Sequence, residues 1–195
     1  AIPVARWHST RKCWIDPAGR SIKGAGAQDV CRCPYAIGIV STGLIVHGMD
    51  RHGEPRSGSE AEHLLRQKFG MVILDEAHKA RGSEPIGSSS RIPNNLLKFI
   101  GKVATRSRHL LLSTATPIQT SEDDLWDLLQ ALNQDAGFVL GTAFSPWNNP
   151  SNVLPYLKGE KKVADLREGW QLLTNPLPPV GDDDLLADIR DTLNL

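Results

Sequence analysis

The chain has 195 residues, 40% hydrophobic and 23% charged, the composition of a globular protein long enough to bury one core. No run of about 18 apolar residues occurs, and the first residues lack the charged-then-apolar order of a signal peptide. Membrane-spanning and secretory readings are therefore disfavoured, and a soluble, cytoplasmic protein with reduced thiols is expected. The net charge of zero hides an asymmetry: residues 1–110 carry 17 Lys and Arg against 9 Asp and Glu, while residues 111–195 carry 5 against 13. A basic half attracts phosphate backbones, or both halves are solvated faces.

Residues 1–35 read as an irregular region with a small β-hairpin, since Asp16-Pro17-Ala18-Gly19 supplies turn chemistry between Trp14 and the next charged stretch. Residues 36–46 are apolar and β-branched and begin as a strand, with Ser41 and Thr42 at its end. A loop over 48–59 leads to Ala61, Leu64, Leu65 and Phe69, spaced as on an amphipathic helix.

Met71-Val72-Ile73-Leu74 is a continuous apolar run closed by acids, the pattern of a parallel strand buried on both faces. After a loop over 81–93, Leu96, Leu97, Ile100 and Val103 make a helical stripe, and His109 to Leu112 a further strand before Ser113. Strands alternating with helices predict an α/β fold with a parallel sheet and crossover helices, whose ligands bind beyond the carboxyl ends of the strands.

Ser121 reads as the cap of a helix with Glu122, Asp123 and Asp124 in its first turn and Leu125, Leu128, Leu129 and Leu132 on one face. A Pro/Asn-rich loop over 145–155 precedes two weaker helices near 163–173 and 183–194.

Two segments carry chemistry. Asp75-Glu76-Ala77-His78 ends one apolar strand, and Ser113-Thr114-Ala115-Thr116-Pro117-Ile118-Gln119 ends the next. Adjacent acids suit phosphoryl transfer, which needs a divalent cation between phosphate oxygens and a positioned water. The bland alternative is that the acids terminate a strand and the threonines cap a helix. Cys31 and Cys33, with Cys13 and His8 or His47, form a weaker zinc candidate, since the usual pairs are Cys-x-x-Cys. The tryptophans Trp7, Trp14, Trp147 and Trp170 read as core or hairpin residues ahead of base-stacking platforms.

The first segment resembles the Walker B or DEAH motif of superfamily-two helicases, and Lys79-Ala80-Arg81 after it is similar to the basic continuation of Swi/Snf-type proteins. The second resembles motif III of that group, a likeness that runs on into Leu125-Trp126-Asp127-Leu128-Leu129. Gly38-Ile39-Val40-Ser41-Thr42 resembles motif Ib. Ala115, where many Swi/Snf-type proteins have Gly, and Thr120, where they have Asn, look like a divergent bacterial branch.

The resemblance implies a partial RecA-like lobe: 1–35 an insertion, 36–140 the core of the first motor lobe, and 141–195 a helical and loop extension. It implies that Asp75 holds magnesium through water and that Glu76 orients or deprotonates the attacking water. His78 then joins this site to motif III, with Ser113, Thr114, Thr116 and Gln119 as coupling residues and Ser41 and Thr42 on the nucleic-acid backbone. ATP and Mg2+ are implied for a full-length parent. So are double-stranded DNA and a second motor lobe as partners. No Gly-x-x-x-x-Gly-Lys-Ser/Thr occurs, so the chain reads as an inactive fragment with no bound cofactor, able to self-associate through an exposed sheet edge. The rivals are a non-catalytic binding or scaffold domain, the motor of a restriction or phage-defence system, and an RNA helicase.

Overall fold

In a computed structural model the described residues are 2–84, 91–134, 139–141, 145–157 and 159–173. The chain divides into two compact units, Ala1–Ala131 and Leu132–Leu195.

The first unit opens with three short antiparallel strands, β1 (Val4–His8), β2 (Cys13–Ile15) and β3 (Ser21–Lys23). The expected hairpin is thus a meander. Its second turn is tied by Asp16, whose carboxylate accepts from the Ala18 and Arg20 N–H groups and from the Arg20 guanidinium. β4 (Ile37–Ile39) adds on the far side of β1, in parallel, giving the order β3-β2-β1-β4. Trp7 and Trp14 meet edge to face at 5.3 Å between ring centres, and the Trp14 indole donates to the Asp29 carbonyl at 2.9 Å. The Trp14 ring leaves no room for a side chain at Gly38, where a Cβ would lie 2.7 Å from it.

The strand expected over 36–46 stops at Ile39, and α1 (Thr42–Gly48) takes the remainder. The backbone of Ser41 is extended, yet its carbonyl accepts from the Leu44 N–H, which starts the first turn. Burial of Ile45 and Gly48 at helical spacing then favours the helix; a Cβ on Gly48 would come within 2.8 Å of the Ala61 side chain. α2 (Glu60–Leu65) is capped by Ser59, whose hydroxyl accepts from the Glu62 N–H. Phe69, expected on this helix, instead opens β5 (Phe69–Asp75).

The loop over 81–93 contains the short antiparallel pair β6 (Gly82–Ser83) and β7 (Ile92–Pro93). α3 (Asn95–Ala104) starts at the Asn94 cap and buries Leu96, Phe99, Ile100 and Val103, with Leu97 only partly covered. β8 (Ser107–Ser113) returns parallel to β5, in a register that sets Val72 opposite Leu110 and Asp75 opposite Ser113. Val72, Leu74, Leu110 and Leu112 face the common core.

α4 (Asp123–Leu132) buries Asp124, Trp126, Leu128 and Ala131, a face rotated from the leucine stripe read in the sequence. Ser121 does not head it as expected from its type alone: its hydroxyl accepts from Arg91 while its carbonyl accepts from the Asp124 N–H.

In the second unit the expected loop over 145–155 contains a 3-10 turn (Pro146–Asn148) and α5 (Pro150–Leu157). Ser145 accepts from the Trp147 N–H, and Pro146 and Pro150 occupy first-turn positions, where a missing N–H costs nothing. α6 (Leu166–Leu173) is held by Glu168, which takes hydrogen bonds from Tyr156, Lys161 and the Ala164 N–H. Together these hold its carboxyl down at about 2, the Ala164 N–H contributing most. The helix expected over 183–194 lies outside the described residues.

Candidate functional site

The site forms where β5 and β8 end side by side. Asp75 is the last residue of β5 and exposed; its Oδ1 accepts from the Glu76 N–H at 3.0 Å. Glu76 follows with φ 55° and ψ 47°, left-handed values that cost a non-glycine residue about 1–2 kcal/mol. That turn reverses the chain at the strand end and starts the 3-10 turn Ala77–Lys79, so that His78 is carried back over the sheet toward β8. His78 Nδ1 lies 3.0 Å from Thr114 Oγ1 and 3.2 Å from Glu76 Oε2. Both contacts fall on the same ring nitrogen, so its role toward the hydroxyl follows from the imidazole tautomer. The same hydroxyl accepts from the Thr116 N–H at 3.1 Å, so Thr114 organises the turn after β8 while meeting His78.

The structure thus brings together Asp75, Glu76, His78, Ser113, Thr114 and Thr116. Gln119 joins through a residue outside the expected set, since its Oε1 accepts from Arg81 Nη1 at 2.9 Å. Ser41 and Thr42 lie in the same unit at the start of α1, Ser41 exposed and Thr42 half-buried. Among the described residues no hydrogen bond or ion pair links them to the Asp75 cluster.

A second polar assembly is centred on Arg91. Arg91 Nη2 donates to Asp124 Oδ1 at 2.9 Å, to Asp127 Oδ2 at 2.7 Å and to the Gly82 carbonyl at 3.1 Å, and its Nη1 donates to Ser121 Oγ at 3.2 Å. Asp124 Oδ2 meanwhile accepts from the N–H groups of Gln119, Thr120 and Ser121 and from the Thr120 hydroxyl. Burial, the largest single influence on Asp124, opposes its ionisation. The Thr120 N–H, the Arg91 guanidinium, the Thr120 hydroxyl and the Gln119 N–H together outweigh it and hold the carboxyl well below the usual carboxylate range. Sequence reasoning assigned Asp123 and Asp124 to the helix dipole. A signal was available in Asp127, one turn after Asp124, since a helix places both carboxylates on one side, where a single arginine can meet them.

An exposed carboxylate closing a parallel strand suits a magnesium ion held through water, the cation being hard and reluctant to lose its hydration shell. The three cysteines are free, and among the described residues no group of three or more His, Cys, Asp or Glu is placed to hold a metal. No helix among the described residues is long and apolar enough to cross a membrane.

The fold and site define a mixed α/β protein with its polar groups gathered beyond the carboxyl ends of a parallel strand pair. Over 71 residues, 36% of this chain, it is 42% identical to the chromatin-remodeling ATPase INO80 of Eremothecium gossypii, and the match spans 4% of that protein's length. That likeness agrees with the superfamily read from the motifs and lends nothing to a bacterial placement. No family model matches the chain. No solved structure matches it.

Proposed function

We propose that this chain is part of the first motor lobe of an ATP-driven translocase on double-stranded DNA, Swi/Snf-like, built as a partial RecA-like lobe and working inside the cell. The observation that carries the reading is the parallel register setting Asp75 beside Ser113, with His78 and Thr114 in hydrogen-bond contact across the two strand ends. The identity to a chromatin-remodeling ATPase supports it.

In this reading Asp75 holds hydrated magnesium, which when bound neutralises charge between phosphate oxygens of ATP. The Glu76 carboxylate, exposed at the turn, orients the attacking water and accepts its proton. His78 and Thr114 join that carboxylate to the turn 113–119, which passes nucleotide state toward a nucleic-acid surface containing Ser41 and Thr42. A phosphate-binding loop must come from sequence outside these 195 residues, as must the second lobe. The absence of that loop here also suits a non-catalytic scaffold.

The deciding experiment is ATP turnover by the longer protein carrying this segment, with double-stranded DNA, RNA or no nucleic acid. Stimulation by DNA that disappears in Glu76→Gln supports the motor. Stimulation by RNA alone makes it an RNA helicase, and no Glu76-dependent turnover under any condition leaves the scaffold.

A further inference from the structure

Asp124 is 3% exposed, and its two oxygens serve different loops. Oδ1 meets Arg91, which also holds the Gly82 carbonyl in the segment after Asp75–His78. Oδ2 gathers the backbone of 119–121, the turn that follows Thr114 and Thr116. Asp127 completes the grip by accepting from the Gly82 N–H at 2.6 Å, so the N–H and the carbonyl of Gly82 are both bound by the Arg91 assembly. The approach is close: a Cβ on Gly82 would lie 3.2 Å from Asp127 Oδ2 and 3.3 Å from Arg91 Nε, so a side chain there would require these groups to give by a few tenths of an ångström. A carboxylate can serve donors on both sides because it accepts everywhere; an amide of the same shape cannot, since its nitrogen would face donors on one side.

We propose that Asp124 is a positioning residue which, with Arg91, locks the segment after Asp75-Glu76-Ala77-His78 and the turn after Ser113–Thr116 into one body. Its use in turnover rests on the motor reading above. The lock itself does not, because it is a property of the folded chain. A rigid link of this kind makes a displacement at Gly82 appear at Gln119, in addition to the direct His78–Thr114 contact.

The test is amide hydrogen exchange on the 195-residue chain, read at Gln119, Thr120 and Ser121, with Trp7 and Trp14 as internal references, in wild type, Arg91→Met and Arg91→Lys. Arg91 touches none of those three amides. The lock predicts that Arg91→Met speeds their exchange about tenfold or more relative to the references and shifts the His78 imidazole nitrogen resonances, while Arg91→Lys recovers part of both effects. Exchange at 119–121 within about twofold of wild type, with a fixed His78 signature, overturns it. Equal acceleration at the reference tryptophans also overturns it, as the arginine would then support the fold in general. Where Arg91→Met does not fold, Arg91→Lys gives the same decision at smaller amplitude. Absence of any Glu76-dependent turnover in the wild-type longer protein refutes the motor reading and leaves the exchange result standing.

Discussion

His78 Nδ1 and Thr114 Oγ1 lie 3.0 Å apart across 36 residues of sequence, and this contact joins the ends of two parallel strands. It ties the acid pair to the hydroxyl-rich turn. A change in one is therefore a change in the hydrogen bonding of the other.

Glu76→Gln in the longer protein should lower DNA-stimulated ATP turnover at least about 100-fold, with nucleotide and DNA affinity nearly intact. The amide keeps the shape of the side chain but cannot take a proton from water. Steady-state turnover and nucleotide titration in parallel check this, and retention of more than about a third of the activity would remove Glu76 from the catalytic role.

The left-handed backbone at Glu76 makes a separate prediction about stability. Glycine adopts φ 55° freely and alanine does not, so Glu76→Gly should be more stable than Glu76→Ala by about 1 kcal/mol. Both variants lose the His78 contact equally, so the difference isolates the backbone. Urea unfolding of the two proteins measures it, and an alanine variant as stable as the glycine one would mean that the turn is not left-handed.

In the folded chain Asp124 should hold its charge to lower pH than an ordinary carboxylate, and that retention is linked to stability. Its folded pKa lies below the ordinary 3.8, so the stabilisation is fully present above the unfolded value and is lost as pH falls from there through the folded pKa. Wild type should therefore lose melting temperature more steeply than Asp124→Asn between about pH 5 and pH 2. Parallel slopes would show that the carboxylate is not ionised in the folded state.

The strand ends were legible because each apolar run closes on a polar residue, Asp75 or Ser113, but the faces were misread: Met71 and Ile73, expected to be buried, are exposed, since among the described residues the pair is covered on one side. The helix at 95–104 was equally plain from its stripe. The 36–46 segment misled because Leu44, Ile45 and Val46 are apolar in either state, and close packing of Gly48 on Ala61, a tertiary fact, decides for helix. Arg91 was hidden for a similar reason: its carboxylate partners lie more than 30 residues downstream, and no local period reports a charge network.

Thr42→Ala in the longer protein should weaken DNA binding modestly and equally across sequences, since contacts to the phosphate backbone position a duplex without reading it. Titration against unrelated duplexes checks this. Sequence-selective loss, or none, would leave Ser41 and Thr42 as residues that start α1.

The parallel pair predicts the behaviour of the chain in isolation. β5 and β8 pair only with each other among the described residues, leaving the outer edge of each without a described strand. Their second face presents Met71 at 53%, Ile73 at 61% and Leu111 at 47% exposure. Parallel strands are ordinarily covered on both faces, and an uncovered apolar edge pairs readily with another chain. The 195-residue chain should therefore self-associate as its concentration rises, while showing no ATP binding at submillimolar concentration because it has no phosphate loop. Ile73→Lys and Leu111→Lys place charge on the exposed face without touching Val72, Leu74, Leu110 or Leu112 in the core, and should shift the mass toward monomer. Light scattering across a concentration series, with calorimetry against ATP and magnesium, reads both outcomes. A wild-type chain that stays monomeric would show that this face is covered, and micromolar ATP binding would show that a phosphate cradle exists within these residues after all.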